Sequence, residues 1–186
     1  PADERVLLPA LRNVRAEVPR VRVVVAPHEP DDASIASLRG RLRADGWAVA
    51  TLTELRSGAA GVDVTAIVVD TVGDLARLYG AACVSYVGGG FHAAGLHSVL
   101  EPAAAASPVV FGPRVHRSDA ARALLAAGGA KIARDSDQLA RIVTSWLADR
   151  TKSKDVGRCA RDYIERHAGA AETTAARVAH VLRARQ

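Results

Sequence analysis

A glycine-rich loop followed by a short polar run is the part of the sequence best suited to binding a ligand. It reads YVGGGFHAAGLHSVLEPAAAA over residues 86–106. The consecutive glycines Gly88 to Gly90 indicate backbone that another group must approach closely. Glu101 opens an alanine-rich helix, where free N–H groups can bind an anion such as phosphate. The carboxylate of Glu101 would then accept hydrogen bonds from the hydroxyl groups of a ribose.

Three other interpretations of this loop compete with phosphate binding. The spacing Gly88-x-Gly90-x-x-Ala93 fits a loose dinucleotide-binding pattern, but about eight residues separate the glycines from the helix, and the next strand does not end in an acid. Ser98 and Glu101 have the spacing of a capping box, which needs no ligand. A glycine-rich turn without a ligand is the third interpretation.

Three further loops carry polar residues where predicted strands end. His28 follows the first strand, Thr71 to Gly73 follow the third, and the run GPRVHRSD over residues 112–119 follows the fifth. Ligands of open parallel sheets bind outside the carboxyl ends of the strands, so these loops and the glycine-rich loop are predicted to share one site. At Thr71 to Gly73, a helix-capping turn and contacts to a base or phosphate are both compatible with the sequence.

Apolar, β-branched runs that alternate with amphipathic patterns predict an α/β fold. Strands are expected at residues 22–26, 47–52, 64–70, 83–90, 108–111 and 130–133, and helices at 3–18, 31–44, 73–82, 98–106, 118–127, 135–149, 152–167 and 170–185. Near-continuous apolar strands, each followed by a helix, indicate a parallel sheet covered on both faces. We expect a doubly wound, Rossmann-like sheet with a helical tail over residues 152–185, in a single domain of residues 1–186.

Composition narrows the class of protein. The chain has 186 residues, of which 49% are hydrophobic and 24% charged, as in a globular domain with a substantial core. The net charge of +5 suits anionic small molecules, nucleic acid or an anionic membrane and does not choose among them. Cys83 and Cys159 form no CxxC pair and are expected to be reduced thiols. No apolar run reaches membrane-spanning length and no signal peptide is present, so we expect a soluble chain.

Metal and nucleophilic chemistry are disfavoured. Asp135-Ser-Asp137 matches a short metal-binding pattern, but it opens a helix and is better interpreted as a helix cap. His97 and Glu101 lie four residues apart with no evident third ligand. Catalysis by a serine nucleophile lacks a G-x-S-x-G turn. We expect neither a metal ion nor a cofactor.

The ordered motifs resemble those of one enzyme family. The segments VDTVGDLARLYGAACVSYVGGGF and GLHSVLEPAAAASPVVFGPRV are similar to the 3-deoxy-D-manno-octulosonate (Kdo) transferases of lipopolysaccharide assembly. The family pattern is approximately D-T-x-G-E-L-x-x-L-Y-x-x-A, then V-G-G-S/T, then G-G-H-N-x-L-E-P-A and G-P. The loop APHEP, residues 26–30, occupies the place of the family's R-H-P-E loop. Ser98 replaces the family's Asn, and the 112–119 loop lacks the family's Asn and aromatic residue.

The resemblance implies the C-terminal, donor-nucleotide half of a GT-B glycosyltransferase. The donor would be CMP-Kdo and the acceptor a lipid A precursor, with no metal required. The catalytic carboxylate would lie in an N-terminal acceptor domain. This chain opens without Met, and we expect that it lacks that domain. We therefore expect the chain alone to be inactive. Carried over by position, the nucleotide contacts fall at His28, Glu29, Thr71, Val72, Gly73, Gly89, Gly90, His97, Ser98, Val99, Leu100 and Glu101.

The resemblance also implies where the protein works. We expect peripheral association with an anionic membrane surface, on the cytoplasmic face of the inner membrane, and no nucleic-acid partner. Two alternatives stay open: a GT-B transferase that uses another nucleotide-sugar, such as a UDP-sugar, and a free-standing nucleotide-binding module without catalysis.

Overall fold

A computed structural model describes residues 2–169 and residue 183, and within them strands and helices follow the predicted order except for one short helix between the second and third strands, which was not predicted. The elements are α1 (Glu4–Glu17), β1 (Val23–Val25), α2 (Asp32–Ala44), β2 (Val49–Thr51), α3 (Leu52–Arg56), β3 (Ala66–Val68), α4 (Leu75–Tyr79), β4 (Ser85–Val87), α5 (Leu100–Ala104), β5 (Val109–Phe111), α6 (Asp119–Ala126), β6 (Ala130–Ile132), α7 (Ser136–Ala148) and α8 (Arg150–His167). The helix expected at residues 170–185 lies outside the described residues, apart from residue 183.

The strands form two parallel three-stranded sheets, ordered β1-β3-β2 and β4-β5-β6. Val24 lies opposite Ile67 in the first sheet, and Val110 lies opposite Tyr86 in the second. Val21, just before β1, packs against core residues beneath both sheets. The predicted α/β class with parallel strands is confirmed. The strands form two separate sheets where a single sheet was expected.

The central strand of the second sheet shows why its sequence is continuously apolar. Val109, Val110 and Phe111 of β5 are all fully buried. A parallel strand with helices on both faces has no side that meets water, so its apolar residues need not alternate with polar ones. Phe111 packs with α5 and α6, and Val110 packs with α1 and α7.

The first helix brings the start of the chain to the second sheet. Leu8, Ala10 and Val14 of α1 are buried, in agreement with the predicted apolar spacing. Ala10 and Val14 share a core cluster with Trp146 of α7. This packing holds Asp3, at the beginning of α1, near the residues that follow β4.

Side chains set several helix boundaries. Asp31 caps α2 by accepting a hydrogen bond from the Ser34 N–H at 2.9 Å. Asp135 caps α7 by accepting from the Gln138 N–H at 2.6 Å, which confirms its interpretation as a cap. Both Cys83 and Cys159 are free thiols, as expected. Between residues 2 and 169, no helix combines the length and the apolar character needed to cross a bilayer.

Candidate functional site

The glycine-rich loop after β4 packs against the chain's own backbone. Gly89 has a positive φ of 93°, and a β-carbon there would overlap the Gly95 carbonyl. At Gly90, a β-carbon would lie 2.5 Å from the Gly112 nitrogen, at the end of β5. The close approach that the glycines predicted is therefore made by neighbouring loops, and it fixes the loop after β4 against the loop after β5.

Two predicted ligand-binding residues meet at the carboxyl ends of the two sheets. The His97 N–H donates to the Gly88 carbonyl at 3.0 Å and closes the loop. Its imidazole stacks on that of His28, with ring centroids 4.5 Å apart and planes inclined by 29°. His28 follows β1 of the first sheet, whereas His97 follows β4 of the second. The pair thus spans the junction of the two sheets, where α/β folds bind their ligands.

A third histidine and an aspartate complete a group that we call the histidine cluster: His28, His92, His97 and Asp3. The Asp3 carboxylate accepts a hydrogen bond from the Tyr86 hydroxyl at 2.7 Å and lies 3.5 Å from His92 Nε2. Neither Asp3 nor Tyr86 was predicted as a site residue from the sequence, in which they are 83 positions apart. The one available signal was a tyrosine inside the predicted strand, between Ser85 and Val87.

The electrostatics of the cluster follow from these contacts. Partial burial, and then the neighbouring His28, lower the pKa of His97, and the Asp3 carboxylate opposes that shift. Burial and the hydrogen bond to Asp3 raise the pKa of Tyr86 far above its ordinary value. Tyr86 therefore stays protonated and donates to Asp3 at neutral pH.

The start of α5 differs from the prediction. The helix begins at Leu100 with Val99 at the N-cap position, and Ser98 Oγ accepts from the Leu100 N–H at 3.3 Å. The capping box between Ser98 and Glu101, one of the alternatives that the sequence left open, is not formed. Val99 is 1% exposed and packs with Phe111, so core packing and not a polar cap sets where the helix begins.

Glu101 is left with an unused carboxylate. Its side chain is exposed in the first turn of α5 and makes no hydrogen bond or ion pair within residues 2–169. Burial, and then the negative charge of Glu101, raise the pKa of Tyr79 on α4. Pro102 follows Glu101, is buried, and anchors the first turn of α5. The backbone at Glu101 is thus anchored, and its exposed carboxylate is free to accept hydrogen bonds from a ligand.

The loop after β3 is held as a turn by its own side chains. Thr71 Oγ1 donates to Asp74 Oδ2 at 2.6 Å, and Arg56 binds both oxygens of Asp74 at 2.6 and 2.9 Å. The hydrogen bonds from Arg56 and Thr71 lower the pKa of Asp74 to about 2. Val72 is 88% exposed beside them. The structure shows a turn held by hydrogen bonds between side chains, and Asp74 at the N-cap of α4 makes no side-chain capping bond. Nucleotide contact at this loop stays a prediction.

Exposure divides the predicted nucleotide contacts into two groups. Three of them are buried and pack beneath the loops: Gly89, Gly90 and Val99. The exposed ones are His28, Glu29, Val72, Gly73, His97, Ser98, Leu100 and Glu101, and Thr71 is half-buried. The buried residues support the surface that the exposed ones form, and nucleotide contact at any of them is a prediction.

An open cavity of about 520 Å³ lies elsewhere, beside the edge strand β2. Its lining includes Arg39, Glu54 and Val62 and none of the predicted site residues. Arg39 is already paired with Glu54 at 2.8 Å, whereas the histidine cluster and Glu101 offer polar groups at the sheet ends. We therefore place the candidate site at the loops. Across the described ranges, no three or more His, Cys, Asp or Glu side chains are grouped to hold a metal ion.

The sequence of this chain is similar to those of known proteins. No family model matches the chain. The chain is 34% identical over 170 residues to the 3-deoxy-D-manno-octulosonic acid transferase of Bordetella pertussis, covering 89% of this chain and 38% of that protein. It is 40% identical over 84 residues to the protein of the same name from Chlamydophila psittaci, covering 44% of this chain and 19% of that protein. The chain thus spans well under half the length of these relatives.

A solved structure has the same fold. It is the C-terminal CMP-Kdo binding domain of WaaA from Acinetobacter baumannii, with a TM-score of 0.73 and 21% identity over 86% of this chain and 82% of that domain. The fold, the motifs and the sequence relationship agree. This chain belongs to the 3-deoxy-D-manno-octulosonic acid (Kdo) transferase family.

Proposed function

We propose that this chain is the donor-nucleotide-binding half of a glycosyltransferase that transfers Kdo from CMP-Kdo to a lipid A precursor in lipopolysaccharide biosynthesis. The curated relatives are named for transfer of this sugar, and the structural neighbour is described as CMP-Kdo binding. The observation that carries the proposal is the stacking of His28 on His97 at the carboxyl ends of the sheets. Glu101, whose carboxylate has no partner within residues 2–169, follows His97 by four positions.

Different exposed residues bind the phosphate, the ribose and the base of CMP. His28 and His97 bind the phosphate, and Glu101 accepts hydrogen bonds from the ribose hydroxyls. Thr71 to Gly73 border the base. Glu29, Ser98 and Leu100 complete the rim, and buried Val99 supports it from beneath. In the transfer, the carboxylate expected in the N-terminal acceptor domain takes the proton of an acceptor hydroxyl. The hydroxyl oxygen bonds to the anomeric carbon of the sugar while the bond from that carbon to the phosphate oxygen breaks. CMP leaves with an added negative charge, which nearby cationic groups stabilise.

The choice of nucleotide tests this proposal. CMP is expected to bind the chain at least about tenfold more tightly than UMP, because a site shaped for the cytosine amino group leaves polar groups unpaired when uracil occupies it. Calorimetric titration of both nucleotides into the chain measures the ratio. Tighter binding of UMP would favour a transferase that uses a UDP-sugar. Binding of neither would refute the proposal.

We also infer peripheral association with the cytoplasmic face of the inner membrane. Lys152 and Lys154 are exposed in the first turns of α8, while Arg150 donates to the Cys83 sulfur at 2.8 Å. A lysine near an anionic membrane surface contributes on the order of 1 kcal/mol, so the two together should favour anionic over neutral vesicles about 30-fold. Sedimentation with vesicles of each type measures this preference. Substituting both lysines with glutamine should remove it, and equal partitioning of the unmodified chain onto both vesicles would count against the inference.

A further inference from the structure

We propose that the stacked imidazoles of His28 and His97 form a proton-coupled site for a phosphate monoester, so that nucleotide binding draws a proton from solvent onto the pair. The inference rests on the proposed function, because it takes the phosphate of CMP as the ligand. It adds a specific chemical role for the histidines and a pH dependence that the nucleotide assignment does not contain.

The phosphate needs a cationic partner that the adjacent helix does not supply. A phosphate monoester carries a charge of roughly −1.5 to −2 at neutral pH. The prediction placed it at the N-terminus of a helix over residues 98–106, but α5 covers only Leu100–Ala104. So short a helix has few aligned peptide dipoles. His97 lies three positions before Leu100, and the His28 imidazole stacks on its ring. These two exposed imidazoles can carry the missing positive charge.

Without a ligand, the pair resists full protonation. Two imidazolium rings with centroids 4.5 Å apart repel each other. The charged groups that act on His97 are His28 from the loop after β1, His92 from the glycine-rich loop, and Asp3 from the start of α1. Partial burial, and then the neighbouring His28 and His92, lower the pKa of His97, and the Asp3 carboxylate does not offset them. The unliganded site therefore holds less than its full positive charge at neutral pH.

A bound phosphate reverses this balance. Its negative charge lies against both rings and offsets their repulsion, so a proton moves from solvent to an imidazole nitrogen as the nucleotide binds. No covalent bond changes. Because protonation accompanies binding, affinity is highest where the pair is readily protonated and falls as pH rises through the pKa of the liganded pair.

Proton uptake can be measured directly. CMP is titrated into the chain by calorimetry between about pH 6.5 and pH 8, in pairs of buffers with different ionisation enthalpies. The wild-type chain should take up close to one proton per CMP, and its affinity should fall by up to about tenfold for each pH unit. His97→Asn should abolish the uptake and flatten the pH dependence. His28→Asn, in a different loop, provides the same test if the first variant does not fold.

Controls separate the phosphate from other sources of the effect. His167→Asn removes a histidine at the end of α8, where its ring packs on Tyr163, and should leave the uptake unchanged. Cytidine lacks the phosphate and free Kdo offers only a carboxylate, so neither should bind with proton uptake. Uptake with cytidine, or with Kdo but not CMP, would overturn the inference.

The outcomes distinguish this inference from the proposed function. If wild-type chain binds CMP without proton uptake, or if the uptake persists in both histidine variants, the inference fails and the nucleotide-binding function stands. If CMP does not bind the wild-type chain at any pH, both fail.

Discussion

Gly90→Ala is expected to lower the free energy of unfolding by about 3 kcal/mol, because the new methyl group overpacks a backbone contact. The added β-carbon would lie 2.5 Å from the nitrogen and 2.6 Å from the Cα of Gly112. Both neighbours are backbone atoms, so no flexible side chain can move aside. For a chain of this length the melting temperature should fall by about 6–12 °C, measured by circular dichroism.

Gly40→Ala is the matched control for this substitution. Gly40 lies inside α2, and a β-carbon there meets nothing within 4 Å. Alanine is the better helix former, so this variant should gain about 0.5–1 kcal/mol. The comparison separates the close approach at Gly90 from a general effect of adding a methyl group. A Gly90→Ala variant as stable as wild type would show that the loops after β4 and β5 are not packed as described.

Local patterns predicted the elements whose boundaries are set locally. The continuous apolar run of β5 predicted a strand buried on both faces, and its three residues are fully buried. Asp135 precedes an amphipathic segment and caps α7 as expected, and Asp31 caps α2 in the same way. In each case a side chain within a few positions, or the local pattern of burial, decides the structure, and that information lies in the sequence itself.

Boundaries set by more distant packing were not predicted. One local boundary was missed as well: Thr51 and Glu54, three positions apart, form a capping box that starts α3, so the strand expected to run to residue 52 ends at Thr51. The start of α5 shifted because Val99 is drawn into the core beside Phe111, which is distant in sequence. An apolar residue gives no local sign of which neighbours will bury it.

The candidate site shows the same division. The rule that ligands bind at the carboxyl ends of strands placed His28 and His97 in one region, and their rings stack. The sequence predicted that some group approaches the glycines closely, but it did not show which one. At Gly90 that group is the backbone of Gly112. Asp3 and Tyr86, which are in contact, are 83 positions apart in the sequence. No spacing rule connects residues so far apart.

Glu101→Gln is expected to weaken CMP binding about 10- to 150-fold, because a charged hydrogen-bond acceptor contributes roughly 1.5–3 kcal/mol. Glutamine keeps the size of the side chain and loses the charge that the ribose hydroxyls favour. The capping box is absent from the structure, so the substitution removes no cap from α5. The melting temperature should therefore change by no more than about 2 °C, from the loss of a favourable charge in the first turn.

A ribose analogue isolates the contact. 2′,3′-Dideoxy-CMP lacks both hydroxyls, so it should bind wild-type chain as weakly as CMP binds Glu101→Gln. The variant should bind CMP and the analogue alike, since the partner of the hydroxyls has been removed. This arrangement is a double-mutant cycle in which one change is made in the protein and the other in the ligand.

Calorimetric titration of CMP into wild-type chain and Glu101→Gln, with melting curves of both, tests most directly whether this chain binds the donor nucleotide at these loops. We predict saturable binding of CMP to wild type, a loss of about 10- to 150-fold in the variant, and nearly unchanged melting temperatures. Absence of CMP binding to wild type, or equal affinity of the two proteins, would contradict the account.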